Sequence, residues 1–272
     1  MNGSMTLRLA DIRHLLIDLD GVVYVGSTPL PGARELVAWL RDRGITFRLV
    51  SNNATLTPHQ YIQKLSAMGI EVAEEEVFTS ALATALYLHK QRGIQTAYVI
   101  GEDGLLEALA SAGVIREEEH PDWVVVGLDR RLTYEKLVAA SLAIRAGARF
   151  VGTNPDRSLP TERGLVPGAG AILAALQTAT GVNPMIIGKP EPLMLELATA
   201  QLGGTVSDTA MLGDRLDTDI EGGRAAGLRT ILVLTGVSTR DDLANSSVQP
   251  SLVVNNLEEL MRSWALEGAQ HE

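Results

Sequence analysis

Two regularities of this 272-residue sequence predict an α/β fold built on parallel sheet. Apolar runs alternate with amphipathic segments from Ile12 onward, and polar side chains gather where several of the apolar runs end. This alternating order of strand and helix is typical of parallel sheets covered by helices. At this length the chain can bury a large core and can form either one or two domains.

The first predicted strand is the apolar part of HLLIDLDGVVY, residues 14–24. Its residues Leu15, Leu16 and Ile17 favour a strand that is covered on both faces. Asp18 and Asp20 follow directly, where an unpaired carboxylate would cost several kcal/mol or more. These two side chains therefore require a compensating partner.

The following elements continue the alternation. Residues 31–44 predict a helix, because a proline stands in the first turn and a glycine at the end. Further helices are predicted at 57–69, 104–113, 133–147, 218–227 and 256–265, and further strands at 47–53, 96–101, 122–129, 149–154, 184–190, 209–215, 229–236 and 251–254. The polar segment 239–251 is predicted to be a surface loop.

Most of the strands at the beginning and the end of the chain are followed by several polar residues, but of the strands at 96–101, 122–129 and 149–154 only the last is. This difference predicts two domains. We expect a core at 1–80 and 183–272, with 81–182 inserted as a second α/β unit. One continuous doubly wound sheet is the alternative that the pattern leaves open.

Composition excludes several classes of protein. The formal net charge of -10 and the pI near 5.0 argue against nucleic-acid and anionic membrane partners. The absence of cysteine excludes disulfides, thiolate zinc sites and cysteine nucleophiles. No run of 18 or more apolar residues occurs, so we predict a cytoplasmic protein.

Four predicted core strands end in polar residues, and ligands of open parallel sheets bind beyond such ends. The residues are Asp18 and Asp20, then Ser51, Asn52 and Asn53, then Lys189, and finally Asp214 with Asp217 and Asp219. Carboxylates with ordinary pKa values of about 4 would be ionised and would repel one another. One lysine cannot neutralise them, but a bound divalent cation could.

Oxygen ligands without histidine or cysteine favour Mg²⁺, which usually completes its shell with water and substrate phosphate. This preference indicates phosphate chemistry. Ca²⁺ is the competing ion, because DLDG resembles the start of an EF-hand loop. The further ligands of such a loop are missing, and the motif follows a strand instead of a helix.

In order along the chain, DLDGV, SNN, the lysine of GKP and GDRLDTDI resemble the four motifs of the haloacid dehalogenase (HAD) superfamily of phosphatases. The segment VVYVGSTPLPGA, the SNN form of the second motif and TNPD are similar to its NagD-like, or 4-nitrophenylphosphatase, branch. The resemblance covers nearly the whole chain. It implies a Rossmann-like HAD core with a C2-type cap inserted between the second and third motifs.

The resemblance also implies roles for the residues that match these motifs. Asp18 resembles the nucleophile, Asp20 the general acid/base, and Ser51 and Lys189 the residues that hold the phosphoryl group. The implied Mg²⁺ ligands are Asp18, the backbone carbonyl of Asp20, Asp214 and, through water, Asp219.

Asn52, Asn53 and Asn154 are the expected substrate contacts, with Asn53 favoured over Asn52. Several of these assignments have structural alternatives. Ser51 could be a helix N-cap, Lys189 a solvated loop residue and Asp219 an acid at a helix N-terminus. Asn154 could instead belong to an Asn-Pro-Asp turn.

Together these features predict a Mg²⁺-dependent phosphatase that hydrolyses small phosphomonoesters, such as a sugar phosphate or a nucleotide-like ester, through an aspartyl-phosphate. A catalytically silent protein that binds a phosphorylated metabolite and a phosphotransferase or mutase are the alternatives. NAD binding is disfavoured, because GEDGLLEAL lacks the third glycine of a dinucleotide fingerprint. A homodimer through the cap would agree with the resemblance.

Overall fold

A computed structural model describes residues 8–161 and 163–268 of the chain. Its strands are β1 (His14–Asp18), β2 (Tyr24–Val25), β3 (Thr28–Pro29), β4 (Thr46–Ser51), β5 (Val77–Thr79), β6 (Thr96–Ile100), β7 (Ile115–Arg116), β8 (Trp123–Val126), β9 (Arg149–Gly152), β10 (Ser158–Thr161), β11 (Gly164–Pro167), β12 (Met185–Ile186), β13 (Thr209–Gly213), β14 (Arg229–Val233) and β15 (Leu252–Val254). Its helices are α1 (Ala33–Asp42), α2 (Pro58–Ala67), α3 (Ser80–His89), α4 (Asp103–Ser111), α5 (Tyr134–Arg145), α6 (Ala169–Thr180), α7 (Leu193–Gln201), α8 (Glu221–Ala225), α9 (Arg240–Asn245) and α10 (Leu257–Gly268).

The described residues form two compact units, of which the first comprises 8–51, 62–78 and 189–268. Its six-stranded sheet has the order β15-β14-β13-β1-β4-β5, and the pairings from β15 to β4 are parallel. β1 lies between β13 and β4, and its residues Leu15, Leu16 and Ile17 are fully buried. The central position of β1 explains why its apolar run is continuous instead of alternating.

The second unit comprises 52–61 and 79–188, apart from residue 162. Its sheet has five parallel strands in the order β12-β9-β8-β6-β7. Val124 and Phe150 of this sheet pack with Ile144 of α5 and Leu173 of α6 in one buried apolar cluster. The unit therefore has a hydrophobic core of its own.

The predicted α/β fold with parallel sheets is confirmed, and the described residues form two main sheets instead of one continuous sheet. The unit boundaries differ slightly from the expected domain limits. Residues 52–61 group with the second unit, and so does 183–188.

Two local predictions are wrong. The strand before Lys189 was expected in the core, but β12 pairs with β9 of the second sheet, where Met185 lies opposite Val151. The expected loop 239–251 contains α9, which begins with a capping box between Thr239 and Asp242. In both cases a short element is fixed by hydrogen bonds that an apolar pattern does not reveal.

None of the helices in the described part of the chain is long and apolar enough to cross a membrane. The cytoplasmic location stays a prediction.

Candidate active site

Three carboxylates and one ammonium group meet at the carboxyl end of the first unit's sheet. The Nζ of Lys189 lies 2.5 Å from Oδ1 of Asp18 and 2.7 Å from Oδ1 of Asp219. Lys189 is only 2% exposed, and both carboxylates are buried. A lysine at such depth requires charged partners, and these two supply them.

Asp214, directly after β13, completes this cluster and is fully buried. Its Oδ2 accepts a hydrogen bond of 2.6 Å from the backbone N–H of Val237. Its Oδ1 has no hydrogen-bond partner among the described residues. A buried carboxylate oxygen without a partner is costly, so this atom indicates a ligand of the site.

The Asp214 carboxylate fits its position because Gly21 and Gly236 have no side chains. A Cβ atom built at either glycine would collide with the Asp214 carboxylate. Gly21 also has φ +87°, a backbone conformation that disfavours other residues. The carboxylate position therefore depends on two glycines from separate segments.

A single turn of π-helix, Leu216–Ile220, brings Asp219 back toward the strand end. Its Oδ2 accepts hydrogen bonds from the backbone N–H groups of Asp214 and Arg215, at 3.2 and 3.1 Å. Such turns are frequent at functional sites because they redirect one side chain. Asp217, in the same turn, instead points to the surface and pairs with Arg215.

The crowding of charge in this cluster shifts its pKa values. Burial, together with the charge of Asp219, raises the pKa of Asp214 to about 6. Burial also raises the pKa of Asp18 well above its usual value, although Lys189 opposes the shift. Burial alone would lower the pKa of Lys189, but the charges of Asp18 and Asp219 reverse the effect and raise it. The acids are thus short of positive charge.

The remaining two predicted catalytic residues of this unit, Asp20 and Ser51, lie at the carboxyl ends of the neighbouring strands β1 and β4. Ser51 ends β4 and is 4% exposed, and its neighbour Val50 pairs with Asp18. Asp20 follows β1, reaches the surface, and accepts a hydrogen bond from the Tyr24 hydroxyl at 3.5 Å. Desolvation of the carboxyl group raises the pKa of Asp20, while the charge of Lys64 and the Tyr24 hydrogen bond oppose that rise.

The cluster fits a divalent cation by the chemistry of its donors. Asp18, Asp214 and Asp219 each offer a carboxylate oxygen, and the three atoms lie within 4.8 Å of one another. All donors are carboxylate oxygens, and Asp214 also has the Oδ1 that lacks a hydrogen-bond partner among the described residues. Hard oxygen donors of this kind suit Mg²⁺.

The three predicted substrate-contact asparagines belong to the second unit. Asn154 is buried, and its amide donates to the Asn52 carbonyl at 2.8 Å while its Oδ1 accepts from the Asp156 N–H at 3.2 Å. The Asn52 amide donates to the Asp156 carboxylate at 3.3 Å. Asn53 accepts from both the N–H and the hydroxyl of Thr55. Substrate contact by these residues stays a prediction, because all three side chains take part in hydrogen bonds of this unit.

Some residues of the site were missed by sequence reasoning. Gly236 and the N–H of Val237 contact Asp214 through backbone atoms, and a search for motifs of charged residues does not find such contacts. Tyr24 and Lys64 were missed because a lysine 40 positions after a tyrosine gives no spacing signal. Only the placement of α2 brings the lysine over the ring.

Comparison with known proteins matches two stretches of the chain to family models. The family model described as haloacid dehalogenase-like hydrolase matches residues 15–115, and the HAD-hydrolase-like model matches 186–260. The acid sugar phosphatase of Staphylococcus aureus (strain USA300) is 48% identical over 245 residues, which cover 90% of this chain and 95% of that protein. The chain belongs to the haloacid dehalogenase-like hydrolases.

Solved structures of HAD hydrolases resemble the chain over nearly its full length. The 4-nitrophenylphosphatase of Thermotoga maritima has a TM-score of 0.89 and 37% identity, and the match covers 93% of this chain and 98% of that one. NagD of E. coli K-12 has a TM-score of 0.86 and 35% identity, and the match covers 91% and 98%. These findings confirm the predicted branch and the predicted enzyme class, a hydrolase of phosphoric esters.

Proposed function

We propose that this HAD hydrolase is a Mg²⁺-dependent phosphatase of small phosphomonoesters that works through an aspartyl-phosphate on Asp18. The observation that carries the proposal is the buried cluster of Asp18, Asp214 and Asp219 around the single ammonium of Lys189. Three acids and one cation leave a surplus of negative charge, and a metal ion would balance it. Mg²⁺, when bound, would neutralise charge on the phosphoryl oxygens.

In this proposal a carboxylate oxygen of Asp18 attacks the phosphorus atom while the ester oxygen leaves. Asp20 gives its proton to that leaving oxygen and later takes a proton from the water that hydrolyses the acyl phosphate. A raised pKa suits Asp20 to this exchange, because the group must hold a proton near neutral pH.

Lys189 and Ser51 would hold the transferring phosphoryl group. The ammonium of Lys189 already contacts Asp18, so the cation lies beside the attacking atom. A buried ammonium and a hydroxyl donor stabilise charge on the phosphoryl oxygens without reorganising solvent. Asp18, the Asp20 carbonyl and Asp214 would hold Mg²⁺ directly, with Asp219 orienting its water.

The substrate class that we propose is a sugar phosphate. The support is the 48% identity to an acid sugar phosphatase. A nucleotide-like ester, hydrolysed by the same residues, is the second candidate within this class of small esters. Transfer of the phosphoryl group to an acceptor other than water would use the same residues.

The test is phosphate release from 4-nitrophenyl phosphate and a panel of sugar phosphates and nucleoside monophosphates, with Mg²⁺ or with EDTA. We expect turnover only with Mg²⁺ and the highest kcat/KM on a sugar phosphate. Mass spectrometry of acid-quenched enzyme should find a phosphoryl adduct on Asp18. Turnover that persists in EDTA or an adduct at another residue would contradict the proposal.

A further inference from the structure

Tyr24 lies in a tight turn that brings its hydroxyl to Asp20. The chain reverses after β1, so that the N–H of Tyr24 donates to the Leu19 carbonyl at 3.2 Å and the N–H of Gly21 donates to the Tyr24 carbonyl at 2.8 Å. The Tyr24 side chain is 1% exposed. Its hydroxyl donates to Oδ2 of Asp20 at 3.5 Å. The turn thus fixes a phenol beside a carboxyl group that is otherwise close to the surface.

Lys64 of α2 places a positive charge on the face of the same ring. Its Nζ lies 3.7 Å from the centroid of the Tyr24 ring, which is well within the range of a cation–π contact. A cation over the ring draws electron density from the phenol and makes its hydroxyl a stronger donor. Lys64 also holds the ring at the position from which the hydroxyl reaches Asp20.

A purely structural tyrosine at this position would be expected to bury its ring and send its hydroxyl to the backbone or to water. Here the hydroxyl is directed at the one carboxyl group to which the proposed function gives the proton of the leaving group. Asp20 lies two residues beyond the end of β1, where an isolated β-bridge with Tyr24 holds its backbone while its side chain reaches the surface. A donor that selects one orientation of this carboxyl would favour proton delivery.

Resting on the proposed function, we propose that Tyr24 and Lys64 are positioning residues for Asp20: the Tyr24 hydroxyl orients the Asp20 carboxyl toward the leaving oxygen, and the Lys64 ammonium fixes and polarises that hydroxyl. Their contribution is greatest for substrates whose leaving group needs a proton. An alkoxide from a sugar phosphate needs one, whereas 4-nitrophenolate leaves without it.

The experiment measures kcat/KM for glucose 6-phosphate and for 4-nitrophenyl phosphate with the Mg²⁺-loaded enzyme. This constant reports the steps up to release of the alcohol, so hydrolysis of the acyl phosphate does not mask the effect. Tyr24→Phe should lose about tenfold on glucose 6-phosphate and less than about threefold on 4-nitrophenyl phosphate, since general acid catalysis as a whole contributes about 10²- to 10⁴-fold.

Lys64→Met should also lose kcat/KM selectively on glucose 6-phosphate, but by a smaller factor than Tyr24→Phe. Lys64→Arg should keep the wild-type ratio of kcat/KM for glucose 6-phosphate to kcat/KM for 4-nitrophenyl phosphate. Tyr98→Phe and Lys90→Met, which change a tyrosine and a lysine of the second unit, are the matched controls and should leave the ratio unchanged. Thermal unfolding should show every variant to be folded.

Asp20→Asn separates failure of this inference from failure of the proposed function. If Asp20→Asn is selective for glucose 6-phosphate but Tyr24→Phe lowers both constants equally or neither, the inference is wrong and the function stands. If Asp20→Asn itself lowers both equally, the acid role of Asp20 fails, and the inference fails with it.

Discussion

The two parallel sheets of this protein both end in charged side chains, but they balance that charge differently. In the second unit the acids that follow β6 and β8 each have a cationic partner: Glu102 pairs with Arg130 at 2.5 Å, and Asp129 pairs with Lys136 at 2.6 Å. In the first unit Asp18, Asp214 and Asp219 lie together, and Lys189 pairs with Asp18 and Asp219.

The comparison shows that topology alone does not make a site. A parallel sheet offers the same edge in both units. Among the residues that the structure describes, it is the first unit's edge that leaves a buried carboxylate oxygen without a partner and that carries aspartates with raised pKa values. Unbalanced charge of this kind supports the proposed metal site, whereas paired charge is typical of structural contacts.

The largest expected effect comes from exchanging one buried aspartate in each unit for asparagine. Asp18→Asn should reduce kcat by more than about 10³-fold, because the amide cannot act as the nucleophile. Asp129→Asn should retain turnover chemistry but lose about 1–3 kcal/mol of unfolding free energy, because it leaves Lys136 without its buried partner.

Steady-state kinetics and urea unfolding of both variants measure this contrast. If Asp18→Asn kept its activity, the proposed difference between a catalytic edge in the first unit and a structural edge in the second would be wrong.

The next largest effect should be a gain in stability when Mg²⁺ binds to the cluster of Asp18, Asp214 and Asp219. At a Mg²⁺ concentration of 100 times its Kd, the unfolding free energy should rise by about 2.7 kcal/mol. Asp214→Asn should weaken this response, because it removes the proposed ligand whose Oδ1 has no hydrogen-bond partner among the described residues. Asp217→Asn, which changes the exposed acid of the same segment, should respond as the wild type does. Thermal unfolding with Mg²⁺ and with EDTA provides the measurement.

The raised pKa of Asp214 predicts how the metal-free protein responds to pH. The folded protein keeps a proton up to a pKa of about 6, whereas the unfolded chain releases it near the usual value of 3.8. The stability that this proton contributes is present below about pH 4 and is lost as pH rises through 6.

Asp214→Asn cannot lose this proton, so it should gain roughly 1–3 kcal/mol relative to the wild type between pH 4 and pH 8. Urea unfolding in EDTA at several pH values measures the difference. Asp217→Asn should show no such change between pH 4 and pH 8, because the hydrogen bond from Arg215 lowers the pKa of Asp217, and the stability that its charge contributes is lost only as pH falls below about 4. A difference between wild type and Asp214→Asn that does not change with pH would contradict the prediction.

The smallest effect should come from the exposed pair of the second unit. Arg130→Gln should change the unfolding free energy by less than about 1 kcal/mol, because the arginine side chain is 66% exposed and solvent screens the pair. Urea unfolding at low and high salt checks this expectation. A loss as large as that of Asp129→Asn would mean that exposure does not separate the two pairs.

Much of the fold could be predicted from the sequence, because alternation of apolar runs and amphipathic segments is a local signal. The position of β12 could not, since a two-residue strand is assigned to a sheet only by its pairing with Val151. In the same way Asp18, Lys189, Asp214 and Asp219 could be named in advance as strand-end residues. The turn that aims Tyr24 at Asp20 depends on contacts that no local pattern records.

The two glycines at Asp214 carry a consequence for the mutability of the chain. In a saturation library selected for activity, we expect positions 21 and 236 to tolerate almost no substitution, although neither glycine has a functional group. Even alanine would place a methyl group where the carboxylate lies. The proposed metal site therefore requires two positions that carry no side chain, in addition to its acidic residues.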